Sequence, residues 1–123
     1  FYDGLTIYKA APGLLAEGGD PQGDGTGGWD RLLMPEMSRP VQMKMGLVGA
    51  LRRESSVTNN SIFFITLGPN DYMAGMQTFF AEVISGIEVV ARLHRVPSHG
   101  DSGDNKAYLL TPPVKILRVT VGR

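Results

Sequence analysis

The chain has 123 residues, with twelve Lys or Arg, twelve Asp or Glu, and no cysteine. One domain of this size buries a core without disulfides, and the lack of thiols excludes thiolate catalysis, redox exchange and Cys-ligated zinc. Balanced charge argues against a dedicated nucleic-acid or anionic-membrane binder; Arg52-Arg53 is the only basic cluster of note, and the longest strongly apolar run, Ile62 to Leu67, is too short to cross a bilayer.

Short β-rich runs punctuated by Gly and Pro predict an all-β barrel or sandwich. Leu5 to Tyr8 and Leu14 to Glu17 read as strands broken at the turn dipeptide Pro12-Gly13. Gly46 to Leu51 and Ile62 to Leu67 are a second pair, separated by the polar segment Arg52 to Ser61. Thr78 to Ile84 is a further strand, and the β-branched run Val114 to Val121, between Pro113 and Gly122, is the last. One helix is signalled. Ser85 followed by Glu88 forms a capping box, Ile87, Val90, Ala91 and His94 recur at helical spacing, and Pro97 stops it. Loops fill Pro21 to Gly28, Pro35 to Pro40 and Ser98 to Lys106.

Two blocks carry more than a fold class. Phe1-Tyr2-Asp3-Gly4-Leu5-Thr6-Ile7-Tyr8-Lys9, continued by Pro12 to Pro21 with its Glu17-Gly18-Gly19-Asp20, is the first; Thr58-Asn59-Asn60-Ser61-Ile62-Phe63-Phe64-Ile65 is the second. Together they resemble the signature blocks of the cyclophilins, the barrel-shaped peptidyl-prolyl cis-trans isomerases. The glycine run Gly23 to Gly28, the helix and the closing Pro-Val-Lys-Ile strand also sit where that family has counterparts. The resemblance implies one mainly β, antiparallel barrel domain over residues 1–123. It lacks the strand-helix-strand that opens the family fold, so an upstream segment or a partner chain is expected to cover the edge at Val114 to Val121. The chain opens on Phe1 without a signal-peptide pattern. That fits an intracellular protein, or one whose targeting segment has been removed.

Isomerising an X-Pro bond means twisting a partial double bond over a barrier of roughly 18–20 kcal/mol. A site lowers it by gripping the proline ring in an apolar pocket and donating from a cation near the prolyl nitrogen, which weakens amide resonance. In the family an arginine is that cation. Here its position holds Lys9, which keeps the charge and loses the planar fork of donors. Phe64 matches the ring-gripping phenylalanine. Leu14, Leu15, Tyr72 and Met73 fall at the other pocket positions as apolar-for-apolar exchanges. The peptide-binding positions depart further. Glu17 and Ile62 each replace a glutamine, Arg53 an asparagine and Gln77 a histidine, while Arg52 and Glu54 stand where small residues leave room for a peptide. Glu17 is placed to pair with Lys9 or Arg53 and draw the cation away from a substrate. Phe63, Phe79 and Phe80 read as barrel core.

Each lost donor of this kind costs about 10²–10³ in rate. The expectation is therefore a degraded active site in a structural or protein-interaction subunit that meets proline-containing segments or a larger complex; the competing expectation is an isomerase acting slowly on X-Pro bonds of client proteins. Neither needs a cofactor or a metal. Gly23-x-Gly25-x-x-Gly28 satisfies a dinucleotide-binding expression, but no helix start follows it and Asp24 would repel a pyrophosphate. Gly100-Asp101-Ser102-Gly103 is similar to a serine-protease nucleophile segment in a chain too short for that fold, and His99 with Asp101 and Asp104 makes no convincing metal set.

Overall fold

The computed structural model describes residues 1–31, 33, 34, 36, 42–52, 58–69, 77–98 and 108–122, with the side chains of Arg52, Thr58, Asn59, Asn60 and His94 excepted. Six strands form one antiparallel sheet: β1 (Thr6–Ala11), β2 (Leu15–Gly18), β3 (Leu47–Arg52), β4 (Thr58–Thr66), β5 (Thr78–Glu82) and β6 (Leu109–Lys115). Their spatial order is β5-β3-β4-β2-β1-β6. β1 and β2 form the hairpin expected at Pro12-Gly13, closed by the Leu14 N–H on the Ala11 carbonyl at 3.0 Å.

Burial follows from position in the sheet. β2 lies between β1 and β4, and all four of its residues are buried. Period-two alternation then appears along β4: Ile62, Phe64 and Thr66 are buried, while Phe63 and Ile65 on the other face are only half-buried. The core therefore sits on the face that carries Phe64. Thr66 is tied in through its hydroxyl, which accepts from the Leu47 N–H at 2.9 Å and donates to the Lys44 carbonyl at 2.7 Å.

Phe80, expected in the core, is 63% exposed, and two expected elements also need correction. The helix α1 covers only Ile87–Ala91 and tightens into a 3₁₀ turn over Arg92–Arg95 before Pro97. Its N-cap is Gly86, in the left-handed region at φ 85°, and no side chain caps it. Ser85 therefore sits one residue too early to reach the free N–H groups, and the Ser85–Glu88 box does not form. The last strand runs over Leu109–Lys115 rather than Val114 to Val121. It pairs with β1 through Thr6↔Lys115, Ile7↔Val114 and Lys9↔Leu109. Beyond it, Ile116 still exchanges bonds with the backbone of Leu5 and Gly4. Pro112 and Pro113 are accommodated because β6 is an edge strand, where a missing N–H costs no ladder bond. The β-branched tail past Ile116 stays outside the ladder, with Leu117 84% and Val121 95% exposed.

Candidate active site

The site begins with an irregularity in β1. Ile7 pairs with Gly18 and Lys9 with Glu17, so Tyr8 is an extra residue on its strand, a β-bulge that re-aims side chains. The Tyr8 ring is buried, and its hydroxyl donates to Glu17 Oε2 at 2.6 Å, a short bond of the charge-assisted kind. Lys9, half-buried beside it, forms no ion pair with Glu17. The expected Lys9–Glu17 pairing is overturned: the tyrosine that the bulge turns inward has taken the carboxylate. Arg53, the other expected partner, lies outside the described residues.

The apolar half is built across three strands. Phe64 on β4 faces Glu17 on β2 and Gly49 on β3. Its ring covers Gly49 so closely that a Cβ there would lie 2.4 Å from Cζ. This is the close approach that a strand glycine permits. Leu15 completes the buried centre, and Leu14, Met43, Leu51 and Phe79 pack around it. Phe79 meets Phe64 edge-on, with centroids 5.6 Å apart and planes at 83°. Phe64 has 0% of its surface exposed, so the ring is covered by the protein itself.

Of the residues expected here, Leu14, Leu15 and Phe64 form one cluster, while Glu17 lies on β2 opposite Phe64 and Lys9 on β1 opposite Glu17. Ile62, two residues before Phe64 on the same strand, is buried with 1% exposed. It contributes no donor. Gln77 is half-buried immediately before β5. Tyr72 and Met73, like Glu54, lie outside the described residues. Leu51, Met43 and Phe79 belong to the site's wall although none was singled out for it. The sequence places Phe79 in the barrel core, and the fragment Gly49-Ala50-Leu51 carries the signal, a strand glycine opposite an aromatic. Replacing Gly49 with alanine is expected to push the Phe64 ring aside and destabilise the domain by about 1–3 kcal/mol, the usual range for overpacking; urea unfolding of the two forms checks it.

The glycine run next to the site is organised by one carboxylate. Asp20, 1% exposed, accepts the N–H groups of Gln22 (2.9 Å), Asp24 (3.3 Å), Gly25 (2.7 Å) and Gly27 (3.1 Å). Gly25 takes a φ of +88° to bring its N–H inward. Four N–H groups of this loop therefore point at the protein's own anion. A hydrogen bond from the Thr26 hydroxyl holds the exposed Asp24 carboxyl below its usual range. Ser61 links the loop to β4, accepting from the Trp29 N–H at 3.2 Å and donating to the Gly19 carbonyl at 2.8 Å.

Among the described residues, the apolar cluster around Phe64 is thus centred on β4 and β2, with Lys9 one strand further on, on β1. Comparisons with known proteins show the family. The description "Cyclophilin type peptidyl-prolyl cis-trans isomerase/CLD" matches residues 1–121, and the chain belongs to that family. It is 30% identical over 122 residues to the peptidyl-prolyl cis-trans isomerase ppi1 of Schizosaccharomyces pombe, covering 96% of this chain and 74% of that protein. The corresponding figures for the isomerase CYP18-2 of Arabidopsis thaliana are 31% over 124 residues, 98% and 72%. In longer relatives, such as the peptidyl-prolyl cis-trans isomerase-like 2 of Gibberella zeae, the match spans only 21% of the protein. Among solved structures, a cyclophilin type peptidyl-prolyl cis-trans isomerase of Cryptosporidium parvum superposes with a TM-score of 0.80 at 26% identity, covering 94% of this chain and 71% of that one. The same protein, crystallised in the presence of the dipeptide Ala-Pro, superposes at 0.85 over the whole chain and 77% of its own, at 24% identity.

Proposed function

We propose that this domain acts mainly as a protein-interaction subunit built on the cyclophilin fold, and that it isomerises X-Pro bonds slowly at best. The observation that carries the reading is the closure of Phe64. The ring that would grip a proline has no exposed surface: Phe79 meets it edge-on, Gly49 lies against it, and Leu14, Met43 and Leu51 pack against the cluster it forms with Leu15. A proline reaches the ring only after those side chains move, and that rearrangement adds to the barrier. The polar arm supports the same reading. Lys9 offers a single-point ammonium where a fork is needed, Glu17 is engaged by Tyr8, and Ile62 has no donor. The partners that fit are proline-containing segments or the subunits of a larger complex. The exposed apolar side chains of Leu117, Val119 and Val121 beyond the edge strand β6 support contact with further protein, since grouped exposed apolar surface marks interaction sites.

The competing reading, a slow isomerase acting on clients, is favoured by one observation: Lys9 is half-exposed and free of ion pairing with any described residue. NMR separates the two. A short Ala-Pro peptide titrated into the ¹³C-methyl-labelled domain is expected to shift Leu14 and Leu15 only at millimolar concentration, with no broadening from catalysed cis-trans exchange. Saturable shifts at micromolar peptide together with exchange broadening would establish the isomerase instead.

A further inference from the structure

We infer that Tyr8 is a positioning residue that withholds Glu17 from Lys9 and so keeps the half-exposed Lys9 ammonium uncommitted. The inference rests on reading Lys9 as the cation of the candidate active site. Lys9 and Glu17 are register partners on adjacent antiparallel strands. Directly opposed residues have Cβ atoms about 4.5–5.5 Å apart, and opposite charges so placed ordinarily attract. A carboxylate with 7% of its surface exposed also has strong reason to seek a cation, because an unpaired buried charge is costly. Even so, no Lys9–Glu17 ion pair forms.

The structure supplies the reason. The bulge places two residues of β1, Tyr8 and Lys9, where one would normally face Glu17, and the buried Tyr8 hydroxyl reaches Oε2 at 2.6 Å. This bond satisfies the carboxylate with a neutral donor. A strand of regular register would present Lys9 alone and leave the pair to neutralise itself. The bulge and the phenol together hold a negative and a positive group side by side without letting them combine.

The chemical reactivity of the Lys9 amine tests this directly. Acylation of each lysine by a water-soluble active ester at pH 8 is followed by mass spectrometry on the wild type, Tyr8→Phe, Glu17→Gln and the double variant. Removing the hydroxyl frees Glu17 to pair with Lys9. An opposing charge raises an amine's pKa by about one unit or more, so Lys9 in Tyr8→Phe should acylate about tenfold more slowly than in the wild type. Lys44 and Lys115 serve as internal references. In the Glu17→Gln background the Tyr8→Phe change should make no difference, since there is no carboxylate left to release. This rescue is what a merely structural role for Tyr8 would not produce. Unchanged Lys9 reactivity in Tyr8→Phe, or slowing that persists in the double variant, overturns the inference. The readout needs no turnover, so its failure is separate from the failure of the proposed function, which peptide titration and isomerase assay decide.

Discussion

Asp20→Ala is expected to be the most damaging single change in the molecule, lowering stability by at least about 3 kcal/mol. Hydrogen bonds to an ionised group contribute roughly 1.5–3 kcal/mol each, and buried donors left without a partner add their own desolvation cost. Asp20 receives four backbone N–H groups, and the Gly25 donor is itself buried. Alanine removes the acceptor of all four, strands the buried Gly25 donor and releases a loop whose far end is tied to Ser61 through Trp29. Asp20→Asn keeps one acceptor oxygen and should cost about half as much. Urea denaturation of both variants measures this, with unchanged slope and a shifted midpoint as the signature. A loss below about 1 kcal/mol for alanine would mean that water replaces the carboxylate without penalty and the loop does not depend on it.

The second large effect concerns catalysis. Lys9→Arg alone is expected to raise the isomerase rate by less than about fivefold. The guanidinium brings back the fork, but Ile62 supplies no donor and Phe64 remains covered. Combining Lys9→Arg with Ile62→Gln and Arg53→Asn should give about 10² over the wild type, since groups that act together are strongly non-additive. One physical obstacle is visible in advance. Ile62 is fully buried, and a glutamine there without a partner costs about 1–3 kcal/mol. The combined variant is therefore expected to unfold at lower denaturant while isomerising faster. If Lys9→Arg by itself reaches the rate of the combined variant, the arginine is the only missing part, and Ile62 and Arg53 are irrelevant to turnover.

Much of this was legible from the chain itself. The β1–β2 hairpin followed from Pro12-Gly13 between two apolar runs, and the second half of β4 from the run Ile62 to Leu67, although the strand starts at Thr58, inside the segment expected to separate it from β3, and ends at Thr66. The family-like blocks brought Leu14, Leu15, Glu17 and Phe64 to one neighbourhood, where the structure places them. Errors arose where short-range cues met a competing neighbour. Ser85 carries a good capping side chain, but Gly86 takes a left-handed conformation open to no other residue nearby at so little cost, and the cap moves with it. The run Val114 to Val121 has the composition of a strand, yet a ladder needs a partner, and the backbone before β1 offers bonds only as far as Ile116, through Leu5 and Gly4. The Tyr8–Glu17 bond was hidden for a different reason. A β-bulge has no reliable signature in residue type, and a one-residue slip changes which side chain faces a carboxylate.

The measurement that tests the central claim most directly is the isomerase rate of the unaltered domain. It is best read as catalysed cis-trans exchange of an Ala-Pro peptide by NMR, beside the Schizosaccharomyces pombe relative ppi1 under the same conditions. With Phe64 covered, Lys9 in the arginine position and no donor at residue 62, the domain is expected to run at least about 10²-fold below that relative. A rate within about threefold of the relative would contradict the account: it would mean that Phe64 uncovers readily and that a lysine beside a tyrosine-held glutamate is a sufficient catalyst.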